Sequence, residues 1–178
     1  GLWTRIVERP YGVIANPEAQ PKAIFVSAFD SAPLAPDYNF ILKEEKAAVE
    51  AGMAVLARLT DGKVHLSARQ GAEGYMAEVK GVEYHTFSGK HPVGNVGVQI
   101  HHIDRIAKGD IVWTVNIQDV AMIGRSVLAG KVDMSKTIAV AGTKAPKCGY
   151  KRIISGAAVE SIVGKVGADT RVISGDVL

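Results

Sequence analysis

Residues 110–130 of the chain read DIVWTVNIQDVAMIGRSVLAG and decide its fold class. The first part, up to Ile117, is apolar and rich in β-branched and aromatic residues, which is typical of a strand covered on both faces. Asn116 stands at a helix N-cap position, and the apolar residues after it recur about every three or four residues. Gly130 follows the helix where a left-handed backbone is common. This strand, turn and helix form an α/β unit, in which the loop after the strand usually holds a ligand.

Further strands and helices are predicted before this unit. Strand patterns cover residues 23–27, 63–67 and 82–87, and a helix pattern runs from about Asn39 to Leu59. A helix beginning at Pro92 is favoured for residues 92–103, although their alternation leaves a strand open. Residues 2–9 read as a short helix or an irregular segment, and residues 10–21 as loop. This order predicts an α/β fold, a Rossmann-like parallel sheet with helices, over residues 1–134.

The pattern changes near Ser135. Strands are predicted at residues 137–142, 150–154 and 170–174, with a short helix that Ser155 would cap and that ends at Gly164. This order is typical of the opening of a β-grasp, so residues 135–178 are predicted to be part of such a domain. Because the sequence begins without methionine and ends within a strand-like stretch, we expect a piece of a longer protein.

Composition excludes several classes of function. The net charge is only +3, and no basic cluster is interleaved with aromatic residues, so nucleic acid is not an expected partner. No apolar run approaches the roughly 18 residues of a membrane span, so no direct span is expected. A single cysteine, Cys148, allows no internal disulfide and no cysteine cluster, and it is interpreted as a structural thiol.

The sequence offers few residues for phosphate or metal binding. Neither a Walker A loop nor a Gly-x-Gly-x-x-Gly motif is present. His101 and His102 would point about 100° apart on a helix and could not easily hold one metal ion. Asp104 and His91 could complete a site only if the fold brings them together. No metal site is therefore predicted, and Asp30, after the first buried strand, is interpreted as an Asx-turn residue.

Several stretches resemble the A subunit of the sodium-translocating NADH:quinone oxidoreductases. They are residues 2–4 (LWT), 9–11 (RPY), 22–30 (KAIFVSAFD), 57–64 (ARLTDGKV), 87–94 (FSGKHPVG), 101–104 (HHID), 112–113 (VW) and 118–124 (QDVAMIG). The resemblance extends over nearly the whole chain. It implies that the full-length protein also carries an N-terminal domain and a helical C-terminal region.

A weaker resemblance reaches two other families, the NADH-binding flavoprotein subunit of respiratory complex I and the C subunit of Rnf complexes. It covers residues 22–38, 115–119 and 137–164, the last resembling their soluble-ligand-binding β-grasp domain. Where those relatives have a glycine-rich flavin loop, this chain has residues 2–9 (LWTRIVER), whose bulk would block close backbone approach. Iron–sulfur ligation would need about four cysteines. We therefore expect the scaffold of these relatives without a flavin or NADH site.

The resemblance implies a peripheral subunit that binds no cofactor within this chain. The complex would pass electrons from NADH through flavins and an iron–sulfur centre on other subunits to ubiquinone, and would export sodium. Its other subunits would be the partners, on the cytoplasmic side of the bacterial inner membrane. In this family the A subunit is associated with quinone interaction and assembly. Because a quinone site needs an apolar slot and donors for carbonyl oxygens, the candidate contacts are Lys90, His91 and His102.

Two alternatives remain open from the sequence. One is a flavin- or NADH-binding oxidoreductase domain that is active alone, which the missing phosphate loop disfavours. The other is a structural interaction module whose contact rim is basic. The residues of that rim would be Lys144, Lys147, Lys151 and Arg152.

Overall fold

The structure is a computed structural model and describes residues 1–72 and 74–176. The strands are β1 (Val7–Arg9), β2 (Val13–Ile14), β3 (Ala23–Ser27), β4 (Lys63–Arg69), β5 (Glu83–Phe87), β6 (Val112–Asn116), β7 (Ser135–Val140) and β8 (Gly149–Ile154). The helices are α1 (Tyr38–Leu42), α2 (Lys46–Leu56), α3 (Val96–Ile103), α4 (Ile117–Ala129) and α5 (Val159–Val163). Short 3-10 helices cover Leu2–Arg5 and Gly74–Glu78.

Six strands form one sheet in the order β2-β1-β6-β3-β4-β5. Strands β6, β3, β4 and β5 are parallel, which confirms the predicted α/β class. Strand β1 is antiparallel to both β6 and β2, so the sheet is mixed. The short helix predicted within residues 2–9 is present as the 3-10 helix Leu2–Arg5, but strand β1 was not predicted there. The prediction that residues 10–21 are loop was wrong at β2. These strands are too short for a visible alternation. The pairing of β1 with β6, which brings β2 to the edge of the sheet, is a tertiary contact.

The two faces of the sheet are covered unequally. Helices α2 and α4 pack against one face, where the larger apolar core lies. Helix α3 packs against β3 on the other face, in a smaller core that includes Phe25 and Ile100. On that second face, β4 and β5 border an open cleft. The uneven cover leaves polar residues of β4 and β5 accessible beside α3.

The predicted unit of β6 and α4 is confirmed in detail. The Asn116 side chain accepts a hydrogen bond from the Gln118 N–H at 2.9 Å, as an N-cap does. Gly130 has a φ of 64°, the left-handed conformation that ends many helices. This local sequence contains the signals for both ends of its helix.

The helix predicted from Asn39 to Leu59 is instead two helices, α1 and α2. The Leu42 carbonyl accepts from the Glu45 N–H in a turn and from the Tyr75 hydroxyl at 2.9 Å. Asp37 caps α1 by accepting from two backbone N–H groups. The break follows from this turn and from a tertiary hydrogen bond, neither of which changes the helical periodicity of the sequence.

The predicted helix after the glycine-bracketed loop is present as α3, and the strand alternative is wrong. It begins later than expected, because Asn95 is its N-cap and Pro92 lies in the preceding turn. The Pro92 carbonyl accepts from the Asn95 N–H at 2.8 Å, which closes that turn. Pro92 is therefore not the first helical residue.

The C-terminal part contains the antiparallel pair β7–β8 followed by α5, consistent with part of a β-grasp. Helix α5 ends at Gly164 as predicted, but Ala158 rather than Ser155 is its N-cap. The strand predicted at residues 170–174 is absent from the described residues 164–176. A strand forms only where a neighbouring strand pairs with its backbone groups, and no described strand pairs with this segment. No helix of the described residues has the length and apolar character needed to cross a membrane.

Candidate functional site

Two of the three predicted quinone residues lie at the carboxyl edge of the sheet, the loops of residues 28–36 and 88–95. The His91 Nδ1 atom lies 3.1 Å from the Ser31 Oγ atom, and the Gly94 N–H donates to that same oxygen at 2.8 Å. Lys90 is exposed beside them. A Cβ on Gly94 would lie 2.4 Å from the Ser31 backbone nitrogen, so glycine allows the two loops to meet. Asp30 accepts from the Ala32 N–H at 2.8 Å, which confirms its Asx turn.

A buried glutamine holds this edge together, and no sequence pattern predicts it. Gln99 of α3 is 1 % exposed and donates to the Ser27 Oγ atom at 3.0 Å and to the Gly94 carbonyl at 3.1 Å. It ties the start of α3 to the end of β3. Nothing in the periodicity of residues 92–103 distinguishes this polar residue from a solvent-facing one.

His102 lies at the other end of α3, away from Lys90 and His91. It lines the cleft together with Asp104 and the first residues of β4 and β5. Asp104 accepts a hydrogen bond from Lys22, before β3, at 2.6 Å. This end of α3 therefore faces the amino edge of the sheet. Because α3 has eight residues, roughly 12 Å of helix separate His91 from His102. The structure brings Lys90 and His91 together but places His102 apart, and Asp104 does not approach His91.

The cleft has a volume of about 730 Å³, and its lining is rich in titratable side chains. The lining residues are Lys63, His65, Glu83, Tyr84, His85, Thr86, Phe87, His102, Ile103 and Asp104. The His65 Nδ1 atom lies 3.0 Å from the His85 Nε2 atom and 3.5 Å from a Glu83 carboxylate oxygen. Phe25 stacks on the His65 ring, with centroids 4.6 Å apart.

Burial lowers the pKa of His65, and the nearby His85 lowers that pKa further. Burial also lowers the pKa of His85. Both imidazoles are therefore neutral near pH 7, when each ring has one nitrogen that can accept a proton or bind a cation. The sequence analysis did not predict this group, because His65 lies on β4 whereas Glu83 and His85 lie on β5. The alternation of β4 and β5 places them on one face, but only the strand pairing brings them into contact.

The N-terminal segment occupies the position where related folds hold a phosphate, the start of the helix after the central strand. The Trp3 ring packs edge-on against Trp113, with centroids 5.5 Å apart, and its Nε1–H donates to the Ala15 carbonyl at 2.7 Å. Arg5 Nε lies 4.0 Å from a carboxylate oxygen of Asp119, in the first turn of α4. Burial raises the pKa of Asp119. Bulky and acidic side chains thus surround this helix start.

The four basic residues of the predicted contact rim have different environments. Arg152 donates to the Ser135 hydroxyl at 2.8 Å, and Lys151 donates to the Ile162 carbonyl. Lys144 and Lys147 are exposed. The thiol of Cys148, also exposed, lies 3.7 Å from the Gly142 carbonyl. Lys144 Nζ also lies 4.0 Å from an Asp169 carboxylate oxygen, so three of the four cations have a partner within the chain. Lys144 and Lys147 nevertheless remain at the surface.

Comparison with known proteins gives matches along the whole chain. Residues 1–132 match a family model described as the NqrA second alpha/beta domain, and residues 137–178 match one described as the NQRA C-terminal domain. The chain is 39% identical to the A subunit of the Na(+)-translocating NADH-quinone reductase of Neisseria gonorrhoeae (strain ATCC 700825 / FA 1090). It is 41% identical to the corresponding protein of Serratia proteamaculans (strain 568). Each alignment covers 100% of the chain and 40% of the relative, so the chain spans less than half of these relatives.

Solved structures show a likeness of fold. The chain superimposes on NAD+-reducing [NiFe]-hydrogenase in the H2-reduced state with a TM-score of 0.58 at 16% identity. The alignment covers 84% of this chain and 33% of that chain. At this identity the likeness supports the α/β fold and carries no argument about cofactors.

Proposed function

This chain belongs to the A-subunit family of the Na(+)-translocating NADH-quinone reductases, and we propose that it acts as a peripheral part of such a complex. The observation that carries the proposal is 39% to 41% identity over the full chain to relatives named as that subunit. The activity belongs to the complex, whose other subunits are the partners, and the isolated chain is inactive. The chain lies on the cytoplasmic side of the bacterial inner membrane.

The chain itself binds no flavin or NADH in this proposal. Arg5 lies beside the first turn of α4, where a phosphate would need open backbone N–H groups, and Trp3 packs on Trp113 of the strand before it. Arg5 is itself 4.0 Å from the carboxylate of Asp119 at that helix start, which competes with a phosphate for this cation. Flavins and the iron–sulfur centre then lie on other subunits.

The carboxyl edge supplies the proposed quinone contact. The Ser31 Oγ atom already accepts from the Gly94 N–H, so its own proton can be donated to His91 Nδ1. That arrangement leaves His91 Nε2–H as a donor for a quinone carbonyl oxygen, with the Lys90 ammonium beside it. Leu34, on the neighbouring loop, is 72% exposed and has a φ of 62°, a conformation that costs energy and is frequent at functional sites. Donors and an exposed apolar side chain at one edge support a quinone contact.

His102 is the third residue predicted from the sequence. One quinone ring could not contact it together with His91, because α3 lies between them. His102 therefore provides a matched comparison, another histidine of the same chain at the opposite end of the same helix.

A binding titration with a soluble ubiquinone analogue tests this proposal. We expect saturable binding that His91→Ala or Lys90→Ala weakens roughly two- to tenfold, the value of one hydrogen bond, whereas His102→Ala leaves it unchanged. NADH and flavin mononucleotide are titrated in parallel. Binding of either would support the alternative of an independent oxidoreductase domain. A lack of all binding would contradict the quinone contact and leave the role in assembly.

Exposed apolar side chains support the role in assembly. Val127 and Leu128, at the end of α4, are 58% and 64% exposed, and Val132 and Ile154 are also exposed. Large apolar side chains that are clustered at a surface often mark contacts with a partner. We propose that this region contacts other subunits of the complex, and that the hairpin loop with the exposed cations Lys144 and Lys147 forms a further contact.

A further inference from the structure

The polar residues of the cleft share one face of the sheet because of strand register. His65 pairs with Glu83 across β4 and β5, and His85 pairs with Ser67. Residues at even spacing along a strand point to the same face, so His65, Glu83 and His85 project toward the same side. Helix α3 covers this face at β3 and leaves the three side chains at the wall of an open cleft.

The distances among the three side chains match those of ligands that share one metal ion. Zinc–nitrogen and zinc–oxygen bonds measure about 2.0–2.2 Å, so neighbouring ligand atoms on one ion lie roughly 3.0–3.5 Å apart. The observed separations are 3.0 Å between the two histidine nitrogens and 3.5 Å between His65 and Glu83. All three ligand atoms lie within 4.8 Å of one another. The Glu83 side chain is 42% exposed and can rotate, which would bring its carboxylate closer to the His85 nitrogen.

The two oxygens of the Glu83 carboxylate have different neighbours. Oε1 forms an ion pair with Lys63, while Oε2 is the atom that approaches His65. A metal ion could bind Oε2 without displacing Lys63. Such an outer partner orients a ligand carboxylate in many metal sites. Lys63 would therefore act as a support of the site through Oε1.

We propose that His65, Glu83 and His85 form a binding site for one divalent transition-metal ion, Zn²⁺ or an ion of similar preference. Two imidazole nitrogens and one carboxylate oxygen are a ligand set of open zinc centres and of centres for related divalent metals. Water that enters through the cleft completes the coordination. This site goes beyond the proposed function, since it lies at the other end of α3 from Lys90 and His91.

The protonation and orientation of the ligands favour metal binding. A metal ion binds the neutral imidazole, which is the form that burial maintains for both histidines. The stacking of Phe25 on His65 fixes the plane of that ring before an ion arrives. His65 is itself buried, so a rigid ligand anchors the site while Glu83 and His85 at the cleft wall complete it.

The same geometry is compatible with a simple hydrogen bond between two neutral imidazoles, and a metal titration separates the two cases. The untagged 178-residue chain, carrying Cys148→Ser to remove a competing thiol, is freed of metal with a chelator and titrated with Zn²⁺ by calorimetry. We expect saturable binding of one ion per chain. Loss of a residue that only supports a metal ligand already costs roughly 10–100-fold in affinity, so His85→Gln and Glu83→Gln are each expected to weaken binding at least tenfold.

The matched control is His101→Gln, which removes a histidine from the exposed side of α3 and should not change the affinity. Titration with Co²⁺ gives a second readout, because its visible absorption reports coordination by nitrogen and oxygen. His85→Gln should remove that absorption. Absence of saturable Zn²⁺ binding, or affinity that is the same in His85→Gln as in the parent chain, would overturn the proposal.

Discussion

At the scale of single residues, Tyr75 connects the 3-10 helix Gly74–Glu78 to the end of α1. Its hydroxyl donates to the Leu42 carbonyl at 2.9 Å. Burial raises the pKa of Tyr75 to about 12, and the charges of Glu45 and Glu50 add to this rise. The folded protein therefore keeps this phenol neutral at pH values where a tyrosine of the unfolded chain has lost its proton.

This raised pKa predicts that the free energy of unfolding decreases at alkaline pH. Because the folded pKa lies above the unfolded value of about 10, the contribution of Tyr75 is fully present below pH 10. It is lost as pH rises from about 10 toward 12, since only the unfolded state then releases the proton. Tyr75→Phe should reduce this loss, although it costs about 0.5–1.5 kcal/mol at neutral pH.

Urea unfolding measured between pH 8 and pH 11 checks the prediction through the slope of unfolding free energy against pH. Tyr11→Phe is the control, because the side chain of Tyr11 is 71% exposed in the folded protein. Equal slopes for the parent chain and Tyr75→Phe above pH 10 would contradict the assignment.

At the scale of elements, the contact between α2 and α4 depends on two glycines. A Cβ on Gly124 would lie 1.7 Å from the Ala48 carbonyl oxygen, and a Cβ on Gly52 would lie 2.1 Å from the Val120 carbonyl oxygen. The backbones of the two helices therefore approach more closely than any side chain would allow. This contact presses both helices onto the same face of the sheet.

Gly124→Ala is expected to destabilise the fold. The added methyl meets backbone rather than a flexible side chain, so α2 must move, at a cost of about 1–3 kcal/mol. Gly97→Ala in α3 is the matched control, because a Cβ there meets nothing within 4 Å. Alanine in place of glycine at this open helical position should stabilise the folded protein by about 0.5–1 kcal/mol. Thermal unfolding of both variants gives the comparison of stability with the parent chain. A Gly124→Ala variant as stable as the parent would show that the two helices do not need this close approach.

At the scale of the whole molecule, a charged cluster joins the C-terminal hairpin to the helices. Arg125 of α4 pairs with Glu45, next to α2, and with Asp133 at 3.0 Å, and it donates to the Ser135 carbonyl at 2.6 Å. Hydrogen bonds from Ser135, followed by the charge of Arg125, hold the pKa of Asp133 at about 2. Gln118 adds a pair of hydrogen bonds to Thr137 of β7. One arginine thus connects three parts of the chain.

Arg125→Leu should loosen the hairpin from the sheet while the sheet itself persists. Loss of hydrogen bonds to charged groups costs roughly 1.5–3 kcal/mol, and Glu45 and Asp133 would lose their shared cation. Amide hydrogen exchange should therefore speed up in β7 and β8 more than in β3 and β6. Lys108→Ala removes an exposed cation and should change the exchange of neither pair of strands. A uniform change throughout the chain would contradict a local role for Arg125.

The division of the chain at residues 134 and 135 remains a prediction. The hydrogen bonds of Gln118 and Arg125 cross it, so the hairpin of β7 and β8 is held to α4 by polar contacts. The boundary was inferred from a change in the predicted secondary structure. Such a change does not report hydrogen bonds between the two parts of the chain.

The helices and strands whose signals are local could be predicted from the sequence. Asn116, the apolar periodicity after it and Gly130 predicted β6 and α4, because caps and periodicity act within a few residues of backbone. The order of strands and helices predicted the parallel sheet, and the resemblance of short stretches predicted the family. The sequence did not predict the break after α1, because a turn and a hydroxyl from Tyr75 end that helix without altering its periodicity.

Contacts between residues distant in the sequence follow from the tertiary structure. His65 lies on β4, whereas Glu83 and His85 lie on β5, and the parallel register of the two strands brings their ligand atoms within 4.8 Å. The direction of α3 separates His102 from His91, although both lie in stretches that resemble one family. Strand order, register and helix direction are set by the packing of the whole core. Local sequence patterns therefore predicted the helices and strands of this protein, whereas the packing of the core set the positions of their side chains.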